Sequence, residues 1–266
     1  MTSVKDRVVA LTGAASGIGR ALAHLLASKG AHLALADVNE AGLRETAAAL
    51  AGGGETSSHV VDVKSRDAVY AFAAEVERRH GGCDVIINNA GLTVKGSIED
   101  VSYEDFQLVI DVNMWGVVYG VKAFLPLLRK RGEGHIVNIS SINAMVPFVD
   151  NGPYNISKYA VLGLSETLMM ELADEPIHVT CVHPGGIRTN IARNAKGISA
   201  QEAAFFDRIA RTMPEGAAAQ IVRGIEKNRE QIFVGADAKA MQAAKRIAPR
   251  WVVHRAGAVA RRLRRR

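Results

Sequence analysis

The chain has 266 residues, 48% of them apolar and only 5% aromatic, which suits one large α/β domain or two smaller ones around an aliphatic core. Its two cysteines, Cys83 and Cys181, sit in apolar runs that read as strands and lack metal-ligand spacing; no apolar run reaches the roughly 18 residues of a membrane span, and the N-terminus has no signal-peptide pattern, so a disulfide framework, a metal site and a spanning segment are not expected and the cytoplasm is the expected location. The net charge of +6 hides a segregation: residues 238–266 carry ten Lys or Arg and no acid, which leaves 23 basic against 27 acidic residues before them, a net of −4.

In chain order, "RVVALTG" reads as a buried strand, "GIGRALAHLLASKG" as a helix closed by Gly30, and "HLALAD" as a second strand ending on Asp37. A helix near 40–50, a strand at "SHVVDV", a helix near 66–80 and the strand "DVIINNAG" follow. Beyond them come a helical stretch over about 102–131, the strand "HIVNISS", a helix after Pro153, the strand "IHVTCVHPGG", a helix near 215–228 and a last strand, "QIFVG". Seven alternations of strand and helix predict an α/β fold, a Rossmann-type doubly wound parallel sheet of about seven strands covered on both faces. No linker divides the chain and "AGGGE" at 51–55 reads as a loop, so one domain is expected over 1–237, with 238–266 as a basic tail.

"LTGAASGIGR" closes the first strand and opens the first helix. Gly13, Gly17 and Gly19 fall where the backbone must turn tightly and let a ligand come close, with Ser16 and Ile18 as further candidate contacts. Free amides at that helix end favour an anionic pyrophosphate, although glycines can serve the turn alone. Asp37 ends the second strand, where a carboxylate can take both ribose hydroxyls of a dinucleotide, or else cap the next helix. At about 5 Å and an effective dielectric near 20 that carboxylate would repel a 2′-phosphate by about 3 kcal/mol per unit charge, which favours NAD over NADP. Neither Ser16 nor Val38, beside the places where a basic residue could reverse the preference, is basic.

Tyr154 and Lys158 lie four apart after Pro153, so a helix would put both on one face. An unperturbed phenol with a pKa near 10 must gain about 4 kcal/mol to exchange protons near neutrality, close to what an ammonium at about 4 Å would supply at an effective dielectric near 20. A core phenol beside a solvated lysine is the bland alternative.

The spacing TGxxxGxG, with YxxxK, "NNAG" at 88–91 and "HPGGIRT" at 183–189, resembles the short-chain dehydrogenase/reductase family, and the likeness recurs along most of the chain. That resemblance implies cofactor contacts for Asp62, Val63, Asn89, Ala90, Gly91, Pro184, Gly185, Ile187 and Thr189, and for Tyr154 and Lys158 themselves. It implies a catalytic serine at Ser141 and an asparagine at Asn113 that holds a water in a proton relay to the lysine. Ser140 should face the other way, because strand side chains alternate. The implied activity is NAD-dependent interconversion of an alcohol and a ketone, with Tyr154 as general acid and base. A non-catalytic NAD(H)-responsive binding protein, or the same enzyme with NADP(H), stays open, and a homodimer or homotetramer through the helices at about 102–131 and 154–173 is implied.

Residues 190–214, "INAMVPFVDNG" and "LTVKG" should set selectivity; Met145, Val146, Phe148, Phe205 and Phe206 suggest an apolar pocket, or core packing, while Lys95 and Arg193 have no assigned role. In the tail, Val252, Ala256, Val259 and Leu263 would line one side of a helix, with Trp251 and Arg255 flanking. Weak contact with an anionic membrane, a solvated end, and packing on a neighbouring subunit all fit it; nucleic acid does not, since no aromatic interleaving accompanies the charge.

Overall fold

Short apolar runs bounded by glycine and polar turns become seven parallel strands in a computed structural model that describes residues 3–191, 193, 195–248 and 255. They are β1 (Val8–Thr12), β2 (His32–Asp37), β3 (Thr56–Val60), β4 (Val85–Asn88), β5 (Gly134–Ile139), β6 (Ile177–Pro184) and β7 (Gln231–Val234). Their spatial order is β3-β2-β1-β4-β5-β6-β7. The order reverses between β1 and β4, whose carboxyl ends open the crevice where ligands bind in such sheets. The expected doubly wound α/β sheet is the fold.

Alternation along β1 sends Val9 and Leu11 to one face and Val8 and Ala10 to the other. On the first face, Leu22 and Leu26 of α1 (Gly17–Ser28) meet Ile221 and Ile225 of α8 (Pro214–Glu226). On the second, Phe72 of α3 (Arg66–His80) meets Phe124 of α5 (Gly116–Arg131) edge to face at 5.4 Å. The 20-residue α6 (Gly152–Glu171) packs on the same face through Val161 and Leu168. Serine and asparagine start the helices: Asn39 caps α2 (Glu40–Ala48), Ser65 caps α3, and Ser102 caps α4 (Tyr103–Ile110).

Four features depart from the sequence reading. The strand expected at 58–63 lies at Thr56–Val60, because its ladder with β2 starts at Leu33↔Thr56 and stops where β2 stops, at Asp37↔Val60. The stretch over 102–131 is α4 and α5 joined by a π-helical turn, Asp111–Trp115. Together these form a helix long and apolar enough by composition to cross a bilayer, with half of its most apolar window buried in the protein. Cys83 lies ahead of β4 rather than inside a strand, while Cys181 is in β6; both thiols are free, and burial pushes them up to about 12 and about 11. Finally, α7 (Ala200–Ile209) and α9 (Ala236–Ile247) add two helices, and α9 straddles the boundary expected at residue 238. Trp251, Val252, Ala256, Val259 and Leu263 lie outside the described residues.

Candidate active site

A cavity of about 1090 Å³ runs along the carboxyl ends of the strands, at or above the ~300–1,000 Å³ that suits one drug-sized ligand. Its wall contains Gly13, Ser16, Gly17, Ile18, Asp37, Asp62, Val63, Asn89, Ala90, Gly91, Ser141, Tyr154, Lys158, Pro184, Gly185, Ile187 and Thr189. Two expected residues stand behind that wall, Gly19 and Asn113. A Cβ on Gly19 would lie 2.0 Å from the Gly13 carbonyl oxygen, so this glycine lets α1 press against the loop rather than touching a ligand.

The loop is held from behind by β4. Asn89 donates through Nδ2 to the carbonyls of Thr12 (2.9 Å) and Gly13 (3.1 Å), and the Thr12 hydroxyl accepts from the amides of Asn89 (3.0 Å) and Ala90 (3.1 Å). Asp37 accepts from the Ala15 amide and the Asn39 amide, each at 2.9 Å. Asn39, not Asp37, caps α2, so the capping alternative for Asp37 falls away. Arg20, the nearby guanidinium, is occupied by Thr46, Glu45 and the carbonyls of Ala15 and Gly42. Lys64 pairs with Asp62 at 3.5 Å.

Pro153 opens α6, and the i, i+4 spacing turns Tyr154 and Lys158 to one side. Lys158 is buried, with Nζ 5.6 Å from the centre of the Tyr154 ring and donating to the Ile139 carbonyl at 2.9 Å. Burial pushes the phenol up, and a hydrogen bond from Ser141 pulls it back. Burial also lowers Lys158 to about 8. Loss of water is the largest influence on both groups, raising the phenol and lowering the ammonium. Ser140 donates to the Lys158 carbonyl at 2.8 Å, pointing opposite to Ser141 as alternation requires.

Asn113, in the π turn, has no exposure; it accepts from the Leu92 amide (2.9 Å) and donates to the Leu92 carbonyl (2.9 Å) and the Ser157 hydroxyl (3.1 Å). Its side chain thus shapes the turn beside Gly91, where an added Cβ would sit 3.3 Å from Asn113 Oδ1 and 3.5 Å from Lys158 Nζ. That bare cradle beside the lysine, continuous with the glycine loop and Asp37, fits a dinucleotide laid across the crevice.

Phe148, Phe205 and Phe206 line the cavity; Met145 and Val146 do not. Other contributors were not singled out in the sequence. Asp237 and Met241 of α9 join the wall, and Asp237 accepts from the Gly186 amide at 2.7 Å. His183, fully buried at the end of β6, donates through Nδ1 to the Ser141 carbonyl at 3.2 Å, and burial lowers it to about 4, so the neutral ring is the donor. A histidine in an apolar strand gives no signal of this, because its partner comes from a neighbouring strand end.

A family model described as short chain dehydrogenase matches residues 7–198. SadH of Mycobacterium tuberculosis, which bears the name of an oxidoreductase, is 44% identical over 255 residues, 93% of this chain and 92% of its own. Dehydrogenase/reductase SDR family member 4 of Bos taurus is 38% identical over 193 residues, 71% of this chain and 68% of that protein. A short chain dehydrogenase/reductase from Burkholderia phymatum, solved in complex with NAD, is similar with a TM-score of 0.83 at 28% identity, over 93% of this chain and 96% of that one.

Proposed function

The chain belongs to the short-chain dehydrogenase family, and on that premise we propose that it is an NAD(H)-dependent oxidoreductase interconverting an apolar, medium-sized secondary alcohol and its ketone. One observation carries the reading: Ser141, Tyr154 and Lys158 share a single cavity wall with Gly13, Gly17 and Asp37. The glycine loop would take the pyrophosphate on free helix amides, Asp37 the adenosine ribose hydroxyls, and the Asn89–Gly91 turn the part beside Lys158. When bound, NAD supplies the hydride acceptor and, oxidised, a positive charge next to the phenol.

The protein's groups then divide the proton work. Tyr154 Oη takes the hydroxyl proton in oxidation and returns it in reduction. Ser141, whose hydroxyl pulls the phenol pKa down, holds the substrate oxygen at the same point. Lys158, with a pKa of about 8, is mostly an ammonium at pH 7 and favours the phenolate through space. Asp37 supports NAD over NADP, and Arg20, the nearby guanidinium, is engaged by Thr46 and Glu45 rather than held open for a 2′-phosphate. A cytoplasmic homodimer or homotetramer completes the reading, supported by the stacked Trp115 and Tyr119 and by exposed Ile156 and Met170 on the outer helices.

A panel of alcohols and ketones followed at the NADH absorbance band tests the proposal, with NADPH run in parallel. Turnover is expected with NAD(H) in preference to NADP(H). Tyr154→Phe is expected to cut kcat by about 10²–10⁴-fold while NADH binding stays nearly intact. Full activity in that variant would remove the proposed proton carrier.

A further inference from the structure

The wall contributed by α7, α9 and the loop before α7 carries Ile191, Ile198, Phe205, Phe206 and Met241, and Phe148 from the segment before α6 joins them. Phe205 and Phe206 do not pack into the core, since α7 carries no buried side chain among its described residues. Three lysines reach the cavity among the described residues, and two are accounted for above, Lys64 with Asp62 and Lys158 with the Ile139 carbonyl. The third, Lys95, stands among the apolar groups and forms an ion pair with Glu202 in the first turn of α7. Glu202 is held twice more, accepting from the Ser199 amide at 2.9 Å and the Ser199 hydroxyl at 2.8 Å, and its own amide donates to that hydroxyl at 3.2 Å, which closes a capping box. Those bonds and Lys95 hold its carboxyl down at about 2, so it is an anion at any working pH. Asp150 and Asp237 line the same cavity as this ion pair.

We propose that Glu202 is a charge-selectivity residue: it occupies Lys95, the one lysine that the described residues bring to the apolar lobe, so the site takes uncharged, lipid-like alcohols and ketones and discriminates against analogues carrying a carboxylate. A substrate anion entering the lobe must displace an intramolecular partner already in place, in a cavity that Asp150 and Asp237 also line, whereas an uncharged chain loses only water. The assignment rests on the oxidoreductase reading, which supplies the alcohol or ketone.

Glu202→Gln isolates the charge, because glutamine serves the same capping position and keeps the start of α7. The probes are 2-undecanone and 10-oxoundecanoate, which share a chain and differ in a terminal carboxylate. Two readouts are taken on the full chain: NADH consumption, and calorimetric affinity in the presence of NAD. The unaltered protein is expected to prefer the neutral ketone by about tenfold or more. Glu202→Gln should reduce that preference about two- to fivefold, the scale of a partly exposed ion pair, mainly by improving the carboxylate. Lys95→Met, which leaves Glu202 as a lone anion, should increase the preference. Absence of NADH consumption with both probes would count against the dehydrogenase reading, while the calorimetric ratio still tests the selectivity. Equal affinities for the two probes, binding of neither, or a ratio unmoved by Glu202→Gln overturns the proposal.

Discussion

Burying Lys158 between Tyr154, the Ile139 carbonyl and the Gly91 turn takes its ammonium out of water, and its pKa drops from 10.5 to about 8. A fall of that size corresponds to about 3 kcal/mol by which the charged group opposes folding. The sign follows from the folded value lying below the unfolded one. Below pH 8 both states hold the proton and the full opposition is felt; between 8 and 10.5 the folded chain releases it, and above 10.5 the opposition is gone. Lys158→Met is therefore expected to stabilise the protein at pH 7 by about 1–3 kcal/mol, allowing for the carbonyl left unpaired, and to abolish turnover. Melting curves at pH 7 and pH 10.5 check it: the gain should shrink at the higher pH. At this scale the sequence located the groups but not their energies. The spacing of Tyr154 and Lys158 is local to one helix and legible, whereas the carbonyl of Ile139 and the surroundings that strip water from both come from β5 and β4. Asp37 shows the same limit, since only the structure reveals that Asn39 caps α2.

Among elements, the π turn at Asp111–Trp115 interrupts what reads as one helix and directs Asn113 inward to the loop after β4. Turns of this kind recur at functional sites because the extra residue redirects side chains. Three hydrogen bonds from one fully buried amide make Asn113 the support of Leu92 and Ser157. Asn113→Ala would leave the Leu92 amide and carbonyl without it, at about 1–3 kcal/mol per buried group. The expected result is a loss of about 2–4 kcal/mol in urea unfolding together with weaker NAD binding. Unchanged stability with lost turnover would instead assign Asn113 the water-relay role as its main one. Strong periodicity made most strands and α1, α3, α6 and α8 readable. The π turn was invisible because it alters hydrogen bonding without altering composition. For α7 a signal was present in Ser199 and Glu202, a serine followed three residues later by glutamate, but Phe205 and Phe206 alone fit pocket lining and packing equally well.

Across the whole molecule, charge and cavity meet at the carboxyl-terminal side. α9 belongs to the body: Asp237 holds the Gly186 amide, Met241 faces the cavity, and Lys245 donates to the Met145 carbonyl and, at 3.3 Å, to the Tyr159 hydroxyl. The basic character expected from residue 238 onward thus divides in two, with Lys245 serving packing and seven arginines following residue 249 in a stretch of sequence that contains no Asp or Glu. Basic side chains near an anionic bilayer contribute about 1 kcal/mol each, and the attraction falls off over a Debye length of about 10 Å at 0.1 M salt. A chain ending at Pro249 keeps α9 and is expected to retain turnover and melting temperature; one ending at Gly235 loses the wall and the support of Gly186, and with them activity. Flotation with liposomes rich in anionic lipid should carry the full chain upward at low salt, release it as salt rises, and leave the chain ending at Pro249 in solution. Equal flotation of the two would assign the arginines some task other than a membrane, while activity lost at Pro249 would place part of the tail in the site that α9 already helps to close.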